Sequence, residues 1–195
     1  MAILSAQNLS KKIRGRRIFE GIAFEVERGG LLLLTGPNGS GKTMLLWTLG
    51  GVLKPSAGRL HRLMDKSGVA FAPAGRGLDE FLSVRANVHC WAGDAAAAER
   101  ELSRWGLSPL AKLPAEALSS GQRKRVTLAR AFAKRGAGLL LLDEPLQGLD
   151  REYRGVLRER LGQALGAGLA AIVADHEPEF YAELKPKILE LRPCD

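Results

Sequence analysis

The apolar run Leu31-Leu32-Leu33-Leu34-Thr35 stops at Gly36-Pro37-Asn38-Gly39-Ser40-Gly41-Lys42-Thr43, after which Leu45, Leu46, Leu49 and Leu53 recur at helical spacing. A short apolar run with no polar alternation reads as a strand buried on both faces, the state of strands in a parallel sheet. Strand, glycine-rich loop and helix in that order commit the chain to an α/β architecture. Leu139 to Leu142 and Ala170 to Ala174 have the same buried character, each preceded by an apolar-striped helix. In the second of these helices Tyr153, Val156, Leu157, Leu161 and Leu165 share one face. Ala2 to Leu9 predicts another strand, and Ile22, Phe24 and Val26 alternate with polar neighbours as a half-buried antiparallel strand does. Residues 72–136, with Val84, Val88 and Trp91 followed by Leu102 and Trp105, predict several short helices. The expected organisation is one domain over 1–195, a parallel-sheet core with N-terminal antiparallel strands at about 1–71 and 137–195, and a helical insert at about 72–136. No internal repeat or composition break calls for a second domain.

A chain of 195 residues can bury roughly 70% of the surface its unfolded form exposes, enough for a real core. Lys plus Arg outnumber Asp plus Glu by 29 to 21, so the net charge of +8 favours anionic partners: nucleotide, nucleic acid or acidic lipid. Charge alone does not choose among them. The 46% apolar and 26% charged composition excludes a disordered or fibrous chain. Cys90 and Cys194 stand alone, with no CxxC and no neighbouring His pair, so neither a disulfide framework nor a zinc site is indicated and a reducing compartment is expected. No apolar stretch approaches the ~20 residues that cross a bilayer. The start, MAILSAQNLSKK, lacks the pattern of an export signal, which predicts a cytosolic chain.

Residues 36–43 match GxxxxGK[ST], placed between a buried strand and a helix as the phosphate-binding mechanism requires. Glycines let successive backbone N–H groups turn toward phosphate oxygens, Lys42 reaches the β and γ phosphates, and the Thr43 hydroxyl suits Mg²⁺. Asp143 and Glu144 end the second buried run, where open α/β sheets place their ligands. Asp143 suits Mg²⁺, while Glu144 points elsewhere and can serve as base or water-orienting group. Leu118-Ser119-Ser120-Gly121-Gln122 precedes the amphipathic stretch Arg123 to Arg135, so Ser119 or Ser120 caps a helix whose first N–H groups form a second anion site. Taken singly, a capping serine or an acidic pair at a strand end has a purely structural explanation.

Taken in order, GPNGSGKT, LSSGQ, LLLLDEP, Gly148-Leu149-Asp150 and Val173-Ala174-Asp175-His176 resemble the ATP-binding-cassette ATPases over nearly the whole chain. LSSGQ is the specific element, since phosphate loops and DE pairs are shared by many nucleotide-binding families. The resemblance implies an ATPase that uses ATP and Mg²⁺ and works as a head-to-tail homodimer. In that dimer Ser119, Ser120, Gly121 and Gln122 of one copy close on nucleotide held by residues 36–43 of the other. It further implies that Asp150 lies in a loop communicating across the dimer, and that His176 contacts the γ phosphate and keeps Glu144 and water in register. His61 and His89 acquire no role.

Two positions depart from the family pattern. Ala74 stands where a glutamine usually contacts Mg²⁺ and the membrane partner, so that contact must pass to water or backbone, with Arg76 a nearby substitute. Ile13 stands nearest the place of the aromatic that stacks on adenine, so apolar contact from Ile13 or stacking by Arg14 would replace it and base selectivity would be loose. Phe81 to Trp91 resembles the region that receives a membrane partner, and its apolar residues equally suit a core. Small cassette chains of this type serve membrane transporters. An integral membrane subunit and peripheral attachment to the cytoplasmic face of the inner membrane are therefore implied. Within the family, LLLLTGPNGSGKT, LSVRANVHCWAG and LSSGQRKRVTLARAFA are most similar to the haem-exporter ATP-binding subunits of cytochrome c biogenesis. Other cassette transporters, a soluble cassette protein acting on nucleic acid, and a nucleotide-gated switch with little hydrolysis are the alternatives. No nucleic-acid partner is expected, because the interval from Lys42 to Leu118 leaves no room for a long coiled-coil arm.

Overall fold

The computed structural model describes residues 2–75 and 77–194. Strand β1 (Ala2–Ile13) turns at Arg14-Gly15 into β2 (Arg16–Glu27), and the two pair antiparallel with Leu4 opposite Val26 and Ala6 opposite Phe24. After Gly29 comes β3 (Leu31–Thr35), then the glycine loop and α1 (Lys42–Leu49). Strand β4 (Ala57–Arg62) returns to the other side of β1, completing an antiparallel sheet in the order β2-β1-β4. Strand β5 (Val69–Ala72) opens the parallel sheet at one edge.

Three helices follow. Helix α2 (Val84–Ala92) is started by the Ser83 hydroxyl, which accepts the Ala86 N–H at 3.1 Å, and stopped by Gly93 at φ 66°. Helix α3 (Ala95–Arg104) is capped by Asp94, and α4 (Ser120–Ala133) by Ser119. The chain then runs through β6 (Leu139–Asp143), α5 (Arg151–Gly166), β7 (Ala170–Ala174) and β8 (Lys187–Glu190). The parallel sheet has the order β5-β6-β7-β3-β8.

The unbroken apolar runs are explained by what lies on each side of this sheet. Leu31, Leu33, Leu140, Leu142, Ala171 and Val173 face a core built with α2, α3, α4 and α5, including Val88, Leu102, Trp105, Leu128 and Leu157. Their neighbours Leu32, Leu34, Leu139, Leu141 and Ile172 face a second core with α1 and the antiparallel sheet, including Leu4, Leu9, Phe19, Leu45 and Leu49. Alternate side chains of one strand therefore bury in two different cores, and a polar residue has no place on either face. In the stretch 81–91 the two explanations divide by residue. Val84 and Val88 are fully buried, whereas Phe81 is 86% exposed and Leu82 and Trp91 are also open to solvent.

The parallel arrangement brings the ends of β3, β6 and β7 to one rim. Asp143 lies opposite Ala174, and the Asp175 N–H donates to the Leu34 carbonyl at 3.2 Å. Every group discussed next hangs from that rim or from the start of α4.

Candidate active site

Two glycines of the loop, Gly36 and Gly41, are pressed against neighbours that leave no room for a Cβ. A Cβ on Gly41, at φ 94°, would stand 2.9 Å from the Ile18 carbonyl of β2, and one on Gly36, at φ 128°, would run into the Leu191 carbonyl. Gly39 is also left-handed at φ 81°. Gly41 serves as the N-cap of α1 with no side-chain cap, so the first turn of that helix keeps its N–H groups for an anion. Ser40 is fully buried with its hydroxyl unpartnered. Pro37 and Asn38 are exposed. Lys42 folds over the loop, its Nζ donating to the carbonyls of Gly36 at 2.7 Å and Pro37 at 3.0 Å. Burial pushes this ammonium below the usual lysine range, opposed by the charges of Glu144, Asp143 and Asp175. A polyphosphate offers Lys42 a better partner than two neutral carbonyls.

Asp143 is 2% exposed, and its Oδ1 accepts the Thr43 hydroxyl at 3.3 Å while Oδ2 has no partner. Burial pushes its carboxyl above the usual range, held back by Thr43 and the Ala74 backbone amide. Arg76 lies outside the described residues. An orphaned, buried carboxylate oxygen beside a hydroxyl is an all-oxygen donor set that fits a hard divalent cation such as Mg²⁺. Thr43 and Asp143, assigned to the metal from sequence, therefore sit together.

Glu144 stands at φ 46°, a left-handed conformation that costs a non-glycine residue roughly 1–2 kcal/mol. That turn separates its side chain from Asp143 and brings Oε1 to 3.6 Å from Nε2 of His176, a charge-pairing distance beyond direct hydrogen bonding. The Glu144 N–H donates to the Ala174 carbonyl at 2.8 Å. Its own carbonyl accepts the Lys124 ammonium at 2.9 Å and the Gln147 N–H at 3.2 Å. His176 is held through its backbone. Asp175 Oδ1 accepts the His176 N–H at 2.7 Å, and Oδ2 accepts the hydroxyl of fully buried Tyr181 at 2.7 Å. Burial and the adjacent Asp175 push the Tyr181 phenol up, so it stays a donor. Arg154 of α5 grips Glu177 with two bonds of 2.7 and 3.0 Å.

Lys124, Asp175 and Tyr181 are the supporting residues that sequence reading passed over. Asp175 carried a signal, as a carboxylate ending a buried strand beside a histidine already singled out.

Ser119 caps α4 reciprocally: its hydroxyl accepts the Gln122 N–H at 3.3 Å while the Gln122 side chain accepts the Ser119 N–H at 2.9 Å. Ser120 is exposed at the helix start, and a Cβ on Gly121 would stand 2.7 Å from the Gly148 carbonyl, so this glycine permits a close backbone approach. Asp150 caps α5, accepting the Tyr153 N–H at 3.0 Å. Within one chain these residues are not brought to the phosphate loop. Ser120 lines a cavity of about 610 Å³ with Ala74, Arg123 and Lys124, whereas Lys42, Thr43 and Glu144 line a separate one of about 350 Å³.

Ile13 does not line the loop cavity. It ends β1, the outer wall of the hairpin turn, and β2 is the strand that runs beside Gly41, so Arg16, Arg17 and Ile18 form that wall with Met44.

The ABC transporter family model matches residues 19–147. The chain is 41% identical to the cytochrome c biogenesis ATP-binding export protein CcmA of Rhodospirillum rubrum, over 85% of this chain and 76% of that one. To the protein of the same description from Rhodobacter capsulatus it is 37% identical, over 99% and 89%. Among solved structures, one described as an ATP-binding subunit of an ABC transporter superposes with a TM-score of 0.87 at 24% identity, covering 97% of this chain and 86% of that one. An ATP-binding cassette of an ABC transporter in its ADP conformation gives 0.78 at 22%, covering 98% and 87%. Loop, carboxylates and fold agree with these matches: the chain belongs to the ABC transporter family and is an ATP-binding, ATP-hydrolysing subunit.

Proposed function

We propose that this chain powers export of haem-related cargo in cytochrome c biogenesis, hydrolysing ATP on the cytoplasmic face of the inner membrane beneath a separate integral membrane subunit. The relatives at 41% and 37% identity are ATP-binding export proteins of cytochrome c biogenesis, which supports this reading. No helix among the described residues is long and apolar enough to cross a membrane.

The chemistry follows from the site. Backbone N–H groups of residues 36–43 and the Lys42 ammonium bind the triphosphate, with Lys42 exchanging its two carbonyl partners for phosphate oxygens. Thr43 and Asp143 would hold Mg²⁺, which would supply neutralising charge to the phosphates. Glu144 orients the attacking water and takes its proton, while His176 fixes Glu144 and donates to the γ phosphate. Arg16 and Ile18 supply stacking and apolar contact to the base without an aromatic ring.

The observation that carries the reading is the division of the site: Lys42 and Thr43 of the phosphate loop and the base Glu144 line one cavity, and Ser120 at the start of α4 lines another. A second copy in head-to-tail orientation supplies the missing helix start to each nucleotide, with Asp150 near the shared boundary. Glu144→Gln should retain ATP binding and lower turnover by about 100-fold or more. Unchanged turnover would remove Glu144 from the reaction, and failure to co-purify with a polytopic membrane protein would remove the transport role.

A further inference from the structure

We propose that Lys124 is a positioning residue for hydrolysis, holding the backbone of Glu144 in its left-handed conformation and tying it to helix α4. The inference rests on the reading of Glu144 as the water-orienting group. Lys124 is 7% exposed, although Arg123 and Arg125 on either side reach outward to Glu80 and Tyr153. Its side chain crosses from α4 to the end of β6, where Nζ stands 2.9 Å from the Glu144 carbonyl and 3.4 Å from that of Asp143. No carboxylate oxygen is its hydrogen-bond partner among these contacts; both acceptors are main-chain atoms. A buried ammonium spent on two carbonyls is a costly way to stabilise a fold, since an apolar side chain fills the same space without desolvating a charge.

What this placement does accomplish is local. Glu144 sits at φ 46°, and its carbonyl direction and carboxylate direction are set by the same torsions. Two of the bonds that hold it, to Ala174 and to Gln147, come from neighbours along the rim. The third comes from α4, one turn after Ser120. A displacement of α4 along its axis therefore reaches the Glu144 main chain through one side chain. The helix start that faces a partner copy's nucleotide is thus mechanically joined to the water-orienting carboxylate of its own site. Small misplacements of such a group reduce rate steeply while leaving phosphate binding untouched.

The test compares the full chain carrying Lys124→Met, which keeps the length of the apolar stem, with the unaltered chain and with Glu144→Gln. Steady-state ATP turnover and direct binding of ATP are measured on each. Lys124→Met should lower kcat by about tenfold to a hundredfold while KM and the directly measured Kd for ATP change by less than about twofold. A merely structural lysine would instead weaken binding and turnover together, and that result overturns the proposal. So does an unchanged kcat in Lys124→Met when Glu144→Gln is inactive, which leaves the reading of Glu144 standing. Normal turnover by Glu144→Gln would instead remove the reading on which the proposal rests. If Lys124→Met fails to give a cooperative melt, Lys124→Gln takes its place: its amide satisfies the pocket but is too short to reach the Glu144 carbonyl, and the same loss confined to kcat is expected.

Discussion

Single residues at this site are held in states that cost free energy in the empty chain and are relieved by ligand. Asp143 is the plainest case. Its carboxyl is pushed up by burial, so the folded chain binds that proton more tightly than the unfolded one. The stability tied to it is present below the ordinary carboxylate value and declines as pH rises through the higher folded value. Asp143→Asn should therefore melt higher than the unaltered chain at neutral pH without Mg²⁺, and lose the stabilisation that Mg²⁺ with ATP confers. Thermal melts across pH, with and without Mg²⁺ and ATP, check both signs. Gly41→Ala introduces a Cβ at φ 94° and 2.9 Å from the Ile18 carbonyl, and should cost about 1–3 kcal/mol and most of the ATP affinity, measured by melting and by nucleotide binding. The loop and the acidic pair were legible in sequence because their chemistry depends on spacing along the chain, whereas His176 was singled out only through the family resemblance. Lys124 was not: between Arg123 and Arg125 it reads as one more surface cation, and only the approach of α4 to β6 distinguishes it.

At the level of elements, β3, β6 and β7 announced themselves because a strand buried on both faces has to be an uninterrupted apolar run. Strands β4 and β8 left no such mark. Most residues of Ala57–Arg62 and Lys187–Glu190 are exposed, and the sheet forms through backbone bonds at its edges that any polar sequence can make. Helix α4 was legible from its cap. Ser119→Ala removes one half of a reciprocal pair and should destabilise the chain by about 1 kcal/mol, read as a lower melting temperature, while leaving ATP affinity of the isolated copy unchanged. Leu141→Ala, in the middle of β6 and fully buried, should cost about 2–5 kcal/mol by denaturant unfolding.

For the whole molecule, Lys42 and Thr43 line one cavity and Ser120 a separate one, and the proposed function makes each of them half of a shared nucleotide site. The motifs were visible in sequence, but their separation in space was implied only by the family resemblance and not by the spacing, because strand order β5-β6-β7-β3-β8 does not follow chain order. The account predicts that two copies complete each other only around nucleotide. The most direct measurement is cross-linking between two differently tagged chains, one carrying Asn38→Cys and the other Ser120→Cys, both with Glu144→Gln and with Cys90 and Cys194 replaced. A bond joining the two tagged chains that forms with ATP and Mg²⁺ and not without them is the predicted result. Saturating ATP binding with no cross-link between chains would contradict the head-to-tail site.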